Sequence, residues 1–195
     1  MRIMAVGLGA GAGFGAATSL VNALSSPYAD IGAPLTGTVW AGAAKVLSLL
    51  MDAGWSWAAL AVLVGAAART PLQGALVGAV SLVAATGAYY ATDSLVADAG
   101  GGLVVWCVAA LLFGSVLGAV GASTRRRGVA GLVASLTVPV GAALQMVVLP
   151  PGPALLPLSP PAVLARTVVW VAAALGAAWA LHRYWTEQRS GRRAE

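Results

Sequence analysis

Long apolar runs alternate with short polar interruptions along the chain. Six runs, at 3–24, 53–69, 71–92, 102–123, 129–149 and 163–184, are separated by charged or turn residues. The breaks include Arg69-Thr70-Pro71, the stretch from Asp93 to Gly102, Arg125-Arg126-Arg127-Gly128 and Pro150-Pro151-Gly152-Pro153. Crossing about 30 Å of hydrocarbon takes about 20 apolar residues in a helix, and the runs approach or reach that length. Each is therefore predicted as a membrane-spanning helix. The first run follows Arg2 and ends in small residues, as a secretory signal does, but it is long and Gly-rich with no clear cleavage site. It is read as a span.

The stretch 35–51 has a different pattern. Leu35, Val39, Ala43, Val46, Leu47 and Leu50 recur at helical spacing, whereas Thr38, Lys45, Ser48 and Asp52 fall elsewhere around the same helix. As a seventh span it would bury Lys45 in hydrocarbon, at high cost, and would split the arginine-bearing loops between the two sides. The pattern predicts an amphipathic helix lying on the outer interface or folded over the bundle. The fold class expected is all-α: a polytopic six-helix transmembrane bundle over 1–185, an extra amphipathic helix on its outer face, and a basic cytoplasmic tail at 186–195.

Composition agrees with a bilayer as the principal partner. The 195 residues are 59% hydrophobic and 9% charged, against about 25% charged in a soluble domain. The net charge of +5 and pI near 10.2 would raise the question of nucleic acid in a soluble protein. Here the basic residues sit in short loops and a tail, so topology explains them and no nucleic-acid partner is expected. With the N-terminus inside, the inner side holds Arg2, Arg69, Arg125, Arg126, Arg127, Arg183, Arg189, Arg192 and Arg193. The outer side keeps Lys45 and Arg166, together with Asp30, Asp52, Asp93 and Asp98. Basic residues favour the cytoplasmic side, which predicts a plasma-membrane protein with both termini in the cytoplasm.

Several chemistries lack their residues. No ionisable group lies deep in a predicted span, which argues against a proton relay or a carboxylate-driven carrier. No His, Cys and carboxylate cluster has metal-ligand spacing, so neither metal nor cofactor is expected. Cys107 lies inside an apolar run and reads as a small hydrophobe; one cysteine excludes an intrachain disulfide. His182, beside Arg183, Tyr184 and Trp185, reads as an interfacial anchor. The glycine-rich first run lacks the strand and the Lys-Ser/Thr of a phosphate loop. Gly7, Gly11 and Gly15, four apart, read as a close-packing helix face. Pro139 inside the fifth run removes a backbone hydrogen bond and frees the carbonyl of Ser135, which predicts a kink.

The polar groups of interest gather on the outer side. Thr86, Tyr90 and Asp93 are spaced i, i+4, i+7 on one helical face, with Tyr89 beside them. Arg166 opens the last run with Trp170 one turn deeper, and Lys45 lies on the amphipathic helix. Two readings stay open: an aromatic belt with interfacial ion pairs, or a small-ligand pocket made by Asp93, Tyr89, Tyr90, Lys45, Arg166 and Trp170. The pocket reading places Asp93 within a few ångströms of Lys45 or Arg166.

Ser25-Ser26-Pro27-Tyr28, Trp55-Ser56-Trp57, Arg69, and Tyr89-Tyr90 with Asp93 together resemble a group of small actinobacterial multipass membrane proteins of uncharacterised function. That resemblance covers roughly 15–95 and implies a membrane location. The six-span plan also resembles the substrate-binding subunits of energy-coupling-factor vitamin transporters. This architectural likeness implies capture of a small molecule near the outer face, and docking of a membrane partner through the Gly7/Gly11/Gly15 face. The function expected is a non-enzymatic small-ligand binding or transport-accessory protein. The alternatives are a membrane-embedded enzyme acting on a lipid or isoprenoid, with Asp93 and a tyrosine as acid and base, and a structural partner without ligand.

Overall fold

The computed structural model describes residues 1–96, 101–150 and 159–192. Asp98, the Pro151-Gly152-Pro153 turn and the end of the basic tail, with Arg193, lie outside the described residues. Those residues are all-α: α1 Arg2–Ser25, α2 Val39–Met51, α3 Gly54–Ala66, α4 Pro71–Val96, α5 Leu103–Ser123, α6 Val129–Val148 and α7 Pro160–Arg192, with one 3-10 turn at Ala33–Leu35. The chain is a polytopic helical membrane protein. Five helices (α1, α4, α5, α6 and α7) are long and apolar enough to cross a bilayer. Rows of exposed Leu, Val and Phe on α5, such as Leu111, Leu112, Phe113 and Val116, leave an apolar outer surface of the kind lipid chains cover.

The run expected as a span at 53–69 is shorter than predicted. It forms α3, whose 13 residues rise about 20 Å, well below the ~30 Å of hydrocarbon. The helix ends at Ala66, ahead of the Arg69-Thr70-Pro71 break. α2 and α3 are long and apolar enough to cross a bilayer only together, and the pair is bent by 62°. The bend falls at Asp52 and Ala53, between the end of α2 and the start of α3.

Glycine registers fix the packing. Gly7, Gly11 and Gly15 of α1 meet Val77, Ser81 and Ala85 of α4 in ascending order, so the two helices run parallel. A Cβ on Gly11 or Gly15 would run into the Ser81 or Ala85 carbonyl. Gly74 and Gly78 of α4 meet Gly118 and Gly114 of α5 in descending order, so that pair is antiparallel. Gly65 of α3 lies on Gly118, and Gly121 of α5 on Val62 of α3. Backbones this close maximise dispersion contact, which drives helix association where lipid removes the hydrophobic incentive. Val77, Ser81 and Ala85 are fully buried, which marks α4 as the centre of the bundle.

α6 and α7 form a second antiparallel pair. Ala142, Met146, Val169 and Ala173 make a buried cluster, and Leu50 and Trp55 from the α2–α3 corner pack against it. α6 is continuous through Pro139, whose ring fills the space over Gly176: a Cβ there would stand 2.9 Å from the proline Cγ. The Gln145 side-chain oxygen accepts from the Trp55 backbone N–H at 2.9 Å. It thereby satisfies one of the unpaired donors at the start of α3 and ties the two halves together.

These directions bring Arg2, the Arg69 turn, Arg125–Arg127 and the end of α7 to one end of the bundle, where Arg126 and Arg183 border the same small cleft. Arg183 pairs with Glu187 at 2.9 Å and lies 5.9 Å from the Trp179 ring. Asp30, Asp52, Asp93 and Arg166 lie toward the opposite end.

Candidate functional site

At the end opposite the arginines, α3 and α5 part and leave a crevice of about 590 Å³ floored by α4. The sequence explains why it opens at that end only. Toward the basic end the two helices touch through Gly65, Gly118 and Gly121, which admit backbone contact. Toward the other end, where those glycines are absent, Trp57 on α3 and Trp106 and Phe113 on α5 line the opening. The floor is Leu82, Thr86 and Tyr90, with Tyr89, next in line after the Val77, Ser81 and Ala85 contacts with α1, closing its α1 side.

Aromatic edges order the walls. Phe14 of α1 meets Trp57 at 5.4 Å between ring centroids and 88° between planes. Trp57 meets Tyr89 at 6.3 Å, and Tyr89 meets Tyr90 at 5.7 Å, both edge to face. Such pairs contribute about 0.5–1.5 kcal/mol each beyond area burial. Behind this wall a polar chain links three helices: the Ser48 hydroxyl donates to the Asn22 side-chain oxygen at 2.7 Å, and the Asn22 amide donates to the Tyr89 hydroxyl at 3.3 Å.

One carboxylate stands at the mouth. Asp52 occupies the break between α2 and α3, outside both helices, and lines the crevice with Tyr89 and Tyr90. Burial raises its carboxyl above the ordinary aspartate value; a hydrogen bond with Asn22 and the positive charge of Lys45 act in the opposite sense. Thr86, 5% exposed, lines the crevice at mid-depth, and its hydroxyl has no hydrogen-bond partner among the described residues.

The residues expected to share one pocket are divided by the structure. Tyr89 and Tyr90 line the crevice. Asp93 does not: it borders a separate shallow depression of about 830 Å³ with Asn22, Tyr28 and Asp30, beside the chain leaving α1. Tyr90 and Asp93 are three positions apart, about 60° around the helix. That offset turns one toward α5 and the other toward α1. Lys45 is exposed on α2, Arg166 is half-buried on α7 and Trp170 is exposed; none of the three lines either cavity. α7 packs on α6 and α2, which leaves Arg166 across the bundle from Asp93. Among the described residues the one ion pair is Arg183–Glu187, so the expected pairing of Asp93 with Lys45 or Arg166 is absent there.

The face of α1 expected to dock a partner is the face α4 covers, since Gly7, Gly11 and Gly15 are buried against it. Gly9 and Gly13, with nothing within 4 Å of a Cβ, are on the open face.

Asp52, Asn22 and Phe113 had no place in the sequence-based pocket. A signal existed for Asn22, the chain's one asparagine, set in the last two turns of an apolar run. Another existed for Asp52, the charge just before Trp55-Ser56-Trp57. Among the described residues no three His, Cys, Asp or Glu side chains gather to hold a metal. No family model, curated protein or solved structure matches the chain.

Proposed function

We propose that the chain is a plasma-membrane protein that binds a small ligand in the α3–α4–α5 crevice, without chemistry, and serves as a binding or transport-accessory component. The single observation carrying this reading is the crevice itself: about 590 Å³ of space walled by Trp57, Tyr89, Tyr90 and Trp106 around one carboxylate. Ligand sites are concave, mostly apolar and carry a few convergent polar groups. Acid–base work on a lipid generally calls for two converging acidic groups, and Asp52 is the one that lines the crevice.

Both termini are assigned to the cytoplasm, which turns the crevice outward; nine of the 11 basic residues support this. α2 is assigned to the outer interface. With α3 along the membrane normal, a 62° bend leaves the 13-residue α2 rising only about 9 Å across the bilayer. A membrane partner meeting α1 would use the open face of Gly9 and Gly13.

The test is a thermal-stability screen of small molecules on the protein in lipid nanodiscs. One chemical class should raise the melting temperature of the wild type and leave Ala109→Phe, which fills the crevice, unmoved. A screen in which no compound separates the two proteins refutes the reading.

A further inference from the structure

We infer that the crevice takes a cationic amphiphile: an ammonium-type head held at Asp52 among Trp57, Tyr89, Tyr90 and Trp106, with an apolar chain running down the groove. The inference rests on the reading of the crevice as a binding site and specifies its ligand.

The sign of the head follows from the walls. Asp52 is the one charged side chain that lines the crevice, and no lysine or arginine faces it there. Lys45, exposed on α2, makes no ion pair with Asp52 among the described residues. Aromatic faces carry negative potential, so the rings attract a cation and disfavour an anion, as the carboxylate does. An anionic head would meet two repulsive terms at the crevice lining, while Lys45, whose charge is felt at Asp52, stands outside that lining.

The chain follows from depth. From Trp106 to Leu117 along α5 the groove descends about 16 Å by helical rise. Below Thr86 its lining is Leu82, Phe113 and Leu117, with no polar side chain among them. A small hydrophilic cation would leave that lower half unfilled, whereas an alkyl or aryl chain buries apolar surface there. Between head and chain sits Thr86, a residue 5% exposed, whose hydroxyl makes no hydrogen bond among the described residues. A hydroxyl, ester or amide just below the head would satisfy it.

The route follows from exposure. Trp106 and Phe113 line the crevice yet are 59% and 64% exposed on the flank of the bundle. The groove therefore opens sideways where lipid chains stand, and a ligand already dissolved in the bilayer enters without leaving it.

Three probes with one rod-shaped fluorophore separate the terms: diphenylhexatriene bearing a trimethylammonium group, bearing a propionate, or bare. Each is titrated into the full chain in zwitterionic-lipid nanodiscs, and saturable energy transfer from tryptophan is read. The trimethylammonium probe should bind about tenfold or more tighter than the other two, the size expected of a carboxylate and rings acting on one cation. Asp52→Asn should remove most of that preference and leave the bare probe unchanged. Asp93→Asn should leave the preference intact. Ala109→Phe should abolish saturable binding of all three. Equal binding of the three probes, unaffected by Asp52→Asn, overturns the cationic-head assignment while the crevice remains a site. Absence of saturable binding by any probe overturns the amphiphile assignment, and the stability screen then decides whether the crevice binds at all. Tighter binding of the propionate probe reverses the sign and refutes the inference outright.

Discussion

Ser48 on α2 donates its hydroxyl proton to Asn22 on α1 at 2.7 Å, and Asn22 passes the contact on to Tyr89 of α4 at 3.3 Å. This is the polar tie between the bent α2–α3 segment and the centre of the bundle, and it stands directly behind the crevice wall. Interhelical hydrogen bonds in membranes average about 0.6 kcal/mol and reach about 1.7. Asn22→Ala should destabilise the protein by about 1–2 kcal/mol, because it breaks both links and removes the hydrogen bond with Asp52, and Ser48→Ala by about half as much. Denaturant unfolding of the two single variants and the double variant measures this. Full additivity of the two would show that the residues do not act through one another.

The glycines of α1 separate by face. Ala at Gly11 or Gly15 meets a carbonyl of α4 and should cost about 1–3 kcal/mol through forced separation of the helices. Ala at Gly9 or Gly13 meets nothing within 4 Å and should be neutral or slightly stabilising through helix propensity. Thermal unfolding of the four variants checks the division. Equal sensitivity at all four positions would mean that the open face is also covered in the folded protein.

The fold was legible where a single physical rule sufficed. Apolar length placed α1, α4, α5 and α6 within a few residues, and four-residue glycine spacing marked the α1 seam; α7 starts near its expected position but continues to Arg192, eight residues past the expected end at 184 and into the stretch expected as a tail. The same spacing at Gly74 and Gly78, and at Gly114 and Gly118, carried an equal signal that the reading of α1 alone passed over. The site was less legible, because helical spacing assigns residues to a face but not to a neighbour. Thr86 and Tyr90 do share the crevice. Asp93, one turn on, faces the depression beside α1 instead, and the carboxylate that shares the crevice with Tyr90 comes from the α2–α3 corner, 38 positions before Tyr90 in the chain. That corner exists because α3 is too short to span alone, which the apolar run 53–69 conceals.

Labelling tests the orientation. In a chain with Cys107 replaced by Ala, single cysteines at Asp30 and Asp52 should react with an impermeant maleimide from outside intact cells, and one at Arg126 only after permeabilisation. Reaction of the Asp30 and Asp52 positions from opposite sides would make α2 a crossing segment. Reaction of Arg126 from outside would invert the whole protein.

The carboxyl at the crevice mouth makes binding of a cation depend on pH, and burial sets the range. A carboxyl is neutral below its pKa and charged above it. Burial raises that of Asp52, in part against Asn22 and Lys45. The charge that holds the cation is therefore fully present well above the raised value and is lost as pH falls through it. The loss begins at a higher pH than an unperturbed aspartate would give. Affinity for the trimethylammonium probe should fall in mildly acidic buffer while the bare probe stays flat, and Asp52→Asn should flatten both. Linkage supplies a second readout. A bound cation favours the charged carboxylate, so binding within the titration range must release protons. Probe binding in two buffers of different ionisation enthalpy should show a fractional proton released per chain in mild acid and none near pH 8. Proton uptake on binding, or release that survives Asp52→Asn, would assign the effect to another group.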